Sequence, residues 1–123
     1  LNLSDNSLQE HGPLTALNLT QQYSKIHTLN LSWNDFGEFA PETAAHLCGQ
    51  YSKIQTLNLS ANGISEDGPK TAMALTGPHS KVQNIDLSSN ELGQYAAQTA
   101  LQLTVEHSHI HTVNFARNDL EAH

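Results

Sequence analysis

The stretch Ile54–Asn62, IQTLNLSAN, recurs with small changes as IHTLNLSWN at Ile26–Asn34, VQNIDLSSN at Val82–Asn90 and IHTVNFARN at Ile110–Asn118. A shortened copy, LNLSDN, occupies Leu1–Asn6. Leu3, Leu31, Leu59, Leu87 and Phe115 are therefore 28 residues apart each time, and no copy gains or loses a residue. A fixed period between 20 and 50 residues is the mark of a solenoid or related array.

Two rhythms alternate inside each period. Around Leu57 and Leu59 apolar residues alternate with Thr56, Asn58 and Ser60, which predicts a short half-buried strand. Leu29/Leu31, Ile85/Leu87 and Val113/Phe115 predict the same. The other half of each period, LTALNLTQQY, ETAAHLCGQY, KTAMALTGPH and QTALQLTVEH, predicts a helix. Ala16, Leu17 and Leu19 in the first copy, and Ala100, Leu101 and Leu103 in the last, are expected on its inner face. Pro13, Pro41 and Pro69 fall at the helix start, where a missing N–H costs least. Glu10, Glu38, Glu66 and Asp67 are read as helix-start acids that complement the dipole and cap it. Ser24, Ser52, Ser80 and Ser108 mark the turn back to the next strand.

A strand and a helix of this length cannot bury their apolar faces alone, whereas stacked copies can, with the strands joined in a parallel sheet. Helices need more width than strands about 4.8 Å apart, so the stack must curve. Asn6, Asn34, Asn62, Asn90 and Asn118 stand where the chain leaves each strand. Five amides in one register are read as a buried ladder that satisfies backbone groups of the turns.

This pattern resembles the leucine-rich repeat, L-x-x-L-x-L-x-x-N, over essentially the whole chain. Ile26/Leu29/Leu31, Ile54/Leu57/Leu59, Val82/Ile85/Leu87 and Ile110/Val113/Phe115 match its strand positions. Leu8, Phe36, Ile64, Leu92 and Leu120 match the apolar residue after each Asn. The 28-residue length with a helix on the outer side is similar to the ribonuclease-inhibitor-like subclass, although Ala16, Ala44, Ala72 and Ala100 stand where that subclass often has larger side chains. The resemblance implies an α/β fold: a curved leucine-rich repeat solenoid, a horseshoe segment with a concave parallel sheet and convex helices. Residues 1–123 are expected to form one array of about four and a half repeats. The chain opens within a strand and stops before a helix, which suggests a fragment lacking caps that would aggregate or unfold easily if made alone.

Function is read from what the array displays. Lys and Arg number 5 against 12 Asp and Glu, a net charge of -7, which disfavours nucleic acid and anionic membranes as partners. No apolar run approaches the roughly 18 residues of a membrane span. Cys48 is the single cysteine, so no internal disulfide forms, in keeping with a reducing, cytoplasmic setting. No phosphate-cradling glycine loop, metalloprotease helix or nucleophile elbow occurs. Cys48 aligns with Thr20, Thr76 and Thr104 on the packing side and is expected to be an inert thiol. The expectation is a chain that is not an enzyme and has no cofactor.

The resemblance implies a protein-interaction module that binds a protein partner through the concave sheet and the strand-end turns. The alternative is a target-binding scaffold segment of a larger enzyme or of a secreted bacterial effector acting in a host cytoplasm, since similar arrays occur in effectors of intracellular bacteria. A self-assembling array is a weaker third reading, and a homo-oligomer is not expected. Three columns facing outward from the strands (Thr28/Thr56/Asn84/Thr112, Asn2/Asn30/Asn58/Asp86/Asn114 and Ser4/Ser32/Ser60/Ser88/Ala116) are short, polar and monotonous. The next column, Asp5, Trp33, Ala61, Ser89 and Arg117, varies. Trp33, the only tryptophan, is the best single anchor, because interface centres favour aromatic and arginine side chains. Arg117 is a contact candidate that has Asp119 or Asp86 as alternative partners within its own chain. His27, Gln55, Gln83 and His111 form a further column of hydrogen-bonding groups. Partner-binding candidates are thus Trp33, Arg117, His27, His111, Asp86 and Asn58. His27 and His111 stand three repeats apart, about 15 Å, and cannot share a metal. His107, His109 and His111 alternate, but His109 aligns with the solvated Lys25, Lys53 and Lys81. Only His79 and His107 are expected to be neighbours, too few ligands for a zinc site.

Overall fold

The computed structural model describes residues 1–118. Each strand is three residues long: β1 (Thr28–Asn30), β2 (Thr56–Asn58), β3 (Asn84–Asp86) and β4 (Thr112–Asn114). They form one parallel sheet in the order β1-β2-β3-β4. The register is the sequence period itself, with Leu29 opposite Leu57, Leu57 opposite Ile85 and Ile85 opposite Val113. The shortened first copy forms no strand of its own. It joins the sheet by one parallel bridge, Asn2 to Asn30.

Eight-residue helices α1 (Gly12–Leu19), α2 (Ala40–Leu47), α3 (Gly68–Leu75) and α4 (Ala96–Leu103) precede the strands, and each packs on the next. A 3-10 turn leads into every helix, and Pro13, Pro41 and Pro69 lie in the first turn. No side chain caps any of these starts, which corrects the capping role expected of Glu10, Glu38, Glu66 and Asp67. The continuous turn before each helix already supplies backbone partners: His11, Phe39, Asp67 and Tyr95 each donate an N–H to the carbonyl three residues earlier.

The core lies between sheet and helices. Leu29, Leu31, Leu57, Leu59, Ile85 and Leu87 from the strands meet Ala16, Ala44, Leu47, Ala72, Leu75 and Leu103 from the helices. Phe36, Ile64 and Leu92 close its edge, while Leu120 lies outside the described residues. The inner helical face differs from the sequence expectation at two residues. Leu17 and Leu101 are 44% and 71% exposed, and Thr43, Thr71 and Thr99 are buried instead. Each of these threonine hydroxyls donates to the carbonyl four residues earlier, which makes a polar side chain admissible there. Gly12 and Gly68 sit where a Cβ would come within 2.5 Å of the Thr43 and Thr99 hydroxyls.

Four similar 28-residue units thus form a curved solenoid, parallel sheet on one side and helices on the other, in keeping with a leucine-rich-repeat-like fold in general. The curvature follows from spacing: packed helices stand about 8–10 Å apart and paired strands about 4.8 Å. No described helix is long and apolar enough to cross a membrane.

Candidate functional site

The turns that leave the strands are built around the asparagine ladder. Asn34, Asn62, Asn90 and Asn118 are buried to within 1% of complete. The Asn62 amide donates to the carbonyls of Leu59, Ser60 and, one repeat back, Leu31, at 3.0, 3.1 and 3.1 Å. Its Oδ1 accepts the N–H groups of Asn34 and Phe36 at 2.9 and 3.4 Å. Asn90 and Asn118 repeat the donor set. Asn6 departs from the expected burial and is exposed. Its amide donates only to Leu3 and Ser4 of its own turn.

With the amides fixed inward, the residue before each is driven into the left-handed region. Asp5, Trp33, Ala61, Ser89 and Arg117 have φ between 55° and 59°. For residues other than glycine this conformation costs about 1–2 kcal/mol, and here hydrogen bonds hold it. Trp33, Ala61 and Ser89 donate their N–H groups to the carbonyls of Ser60, Ser88 and Ala116 in the next turn. These N–H groups are satisfied while the column's side chains point away from the core. Trp33 is 66% exposed.

Two residues on, Asp35, Gly63 and Glu91 are also left-handed. The two columns enclose a groove of about 480 Å³ lined by Trp33, Asp35, Ala61, Gly63, Ser89, Glu91 and Arg117, with Asn62 at its base. Trp33 and Arg117, chosen from sequence as separate candidates, therefore belong to one concavity. Arg117 forms no ion pair with Asp86 among the described residues, and Asp119 lies outside them.

The other candidates sit elsewhere. Asn58 Oδ1 accepts the Ser60 N–H at 2.9 Å. Asp86 Oδ1 accepts the Ser88 N–H and hydroxyl at 2.9 and 2.6 Å. Both side chains tie down the strand exit, an Asx turn repeated at Asn2, Asn30 and Asn114. His111 lines a second recess, about 280 Å³, with Gln55, Gln83, Lys81 and His109 at the strand-entry edge. His27 lines none of the three concavities described here, although its carbonyl accepts from Gln55 and Thr56. His107 and His109 flank a third depression with Gly77, Pro78, Glu106 and Ser108, which His79 does not line. No three His, Cys, Asp or Glu residues converge on an ion position among the described residues.

No family model, curated protein or solved structure matches the chain. The reading of the site rests on its own geometry.

Cys48 is buried, and desolvation raises its pKa to about 11, with a hydrogen bond from Ser80 acting the other way. A thiol held this far from ionisation is a poor nucleophile at neutral pH. Among the described residues the one close approach of a basic to an acidic side chain is His46 to Glu42, at 4.0 Å on the surface of α2.

The signal sequence reasoning missed was the column Asp35, Gly63 and Glu91. Its members look unrelated as residue types, yet their place two positions after the varying column makes them the other wall of the groove.

Proposed function

We propose that this chain is a non-catalytic protein-interaction module that seats a protein partner on the strand-end turns, with the outward columns of the sheet beside them. The observation that carries this reading is the groove joining Trp33 to Arg117. It combines an aromatic and an arginine, the side chains that most often dominate interfaces, with a floor of Ala61, Gly63 and Ser89 low enough to admit another chain. The unreactive state of Cys48 supports the non-catalytic part. The ribonuclease-inhibitor-like subclass is supported by the 28-residue period and an eight-residue helix in every unit. A role as the target-binding segment of a larger enzyme or secreted bacterial effector uses the same groove, and a cytoplasmic setting agrees with a single free thiol.

The test is affinity capture from cell extract by the wild-type chain, Trp33→Ala and Arg117→Ala, with Leu101→Ser as a control on the convex side. The expected result is a protein retained by wild type and control and lost by the two groove variants. Equal retention by all four overturns the assignment of the binding face to this groove.

A further inference from the structure

The groove's charge pattern specifies what it recognises. The N–H groups of Trp33, Ala61 and Ser89 are already used by the neighbouring turn, and the remaining backbone groups repeat unchanged from unit to unit. A bound segment must therefore be selected through side chains. At one end stand the Trp33 ring and the Asp35 carboxylate, at the other Arg117 with Glu91 one repeat before it. An aromatic face beside a carboxylate suits a lysine or arginine side chain, which gains from both. Arg117 has five N–H donors in a planar fork, enough to meet a ligand carboxylate while Glu91 remains nearby. Ala61, Gly63 and Ser89 leave room between these ends but no charge.

Distance fixes the spacing. Three repeats separate Trp33 from Arg117, about 15 Å at ordinary strand spacing. An extended peptide advances about 3.3 Å per residue and turns residues i, i+2 and i+4 to the same side. Two side chains four residues apart therefore face the groove together and cover about 13 Å of it, with their own lengths supplying the remainder. In a helix the same pair would be only about 6 Å apart.

Resting on the groove as the binding face, we infer that its occupant is an extended segment of a partner protein carrying a lysine or arginine at one position and an aspartate or glutamate four residues away, the cation on Trp33 and Asp35 and the carboxylate on Arg117. The segment runs along the axis of the array, across the strands. The acidic surplus of the chain favours approach of the basic end first.

A library of seven-residue peptides with blocked termini, randomised throughout, tests this by selection on the full chain with Trp33→Ala as counter-selection. Hits are titrated through the emission of Trp33, the sole tryptophan. The expected hits pair a basic with an acidic residue at i and i+4 and tolerate proline at i+2, which a helical ligand would not. Asp35→Asn and Arg117→Ala should each weaken such a peptide about threefold, the scale of one exposed ion pair. Arg117→Glu should recover binding when the acidic residue of the peptide is changed to lysine. Trp33-dependent hits without this charge spacing, or with proline excluded, overturn the inference and leave the groove as the binding face. Absence of any Trp33-dependent hit overturns both.

Discussion

The two edges of the sheet solve the same problem differently. Both must turn a chain between strand and helix every 28 residues, and both place one short polar residue per repeat at the bend. At the strand-exit edge the residue is asparagine, and Asn62 alone makes five hydrogen bonds spanning the preceding repeat and its own. At the strand-entry edge it is serine, and the bonds are local: Ser52 and Ser80 hydroxyls accept the N–H two residues on, at 3.3 Å each. Across repeats this edge is joined by backbone bonds, from Gln55 and Gln83 to the carbonyls of His27 and Gln55, and by Lys53 and Lys81, whose Nζ atoms donate to the carbonyls of Ser24 and Ser52 at 2.9 and 3.0 Å. The exit edge is therefore tied across repeats by a buried side-chain amide, the entry edge by backbone bonds and surface lysines. A turn held by its core-facing amide leaves its outward side chain unconstrained. That is why the varying column lies at the exit edge.

Breaking the buried network should have the largest effect. Asn62→Ala strands the N–H groups of Asn34 and Phe36 in the core and should cost about 3 kcal/mol, given about 1–3 kcal/mol for each buried group left unpaired. Urea unfolding would show it, and a loss under about 1 kcal/mol would mean that water replaces the amide.

A change of pH probes the entry edge, where Ser80 bonds Cys48. The folded thiol has its pKa raised from 9.0 to about 11, so between those values the unfolded chain loses a proton that the folded chain keeps. Stability from this group is present in full below pH 9 and is lost as pH rises toward 11, by about 3 kcal/mol at most. Comparing unfolding midpoints of wild type and Cys48→Ala across that window isolates it; parallel curves would refute the assignment.

Ser80→Ala, which loses the bonds to Val82 and Cys48, should cost about 1–2 kcal/mol. A loss equal to that of Asn62→Ala would erase the contrast between the edges.

The smallest effect is expected at the outward column. Trp33→Asn places a residue that tolerates the left-handed region at φ 59°, and stability should hold or rise by less than about 1 kcal/mol. A fall of more than 1 kcal/mol in thermal or urea unfolding would show that the ring helps to hold the turn.

Much of the fold was legible because repetition converts sequence register into spatial register. Leu29, Leu57, Ile85 and Val113 align in the chain and face one another in the sheet. The ladder was legible for the same reason at Asn34, Asn62, Asn90 and Asn118, and failed at Asn6, which is exposed and whose side-chain amide bonds only within its own turn. Leu17 and Leu101 misled because the type of residue suggested burial, while α1 and α4 turn them one step past the inner face. The site was legible only as single residues. Trp33 and Arg117 stood out by type, but Asp35 and Glu91 carry no mark of their role until the turn is folded.

Sequence alone determined the period, the order of strand and helix, the parallel register and the inward asparagines, since each follows from side-chain chemistry repeated at a constant interval. Tertiary structure decided what a single repeat cannot encode. The left-handed backbone at Trp33, Ala61 and Ser89 goes with hydrogen bonds to the adjoining turn, and four different residue types, Arg117 included, adopt it at this column. A Cβ at Gly12 or Gly68 would press on Phe36 and Thr43, or on Leu92 and Thr99, contacts that come from the following repeat. The groove itself exists only between repeats, because its walls come from side chains that are 28 or more residues apart until the stack brings them within a few ångströms of each other.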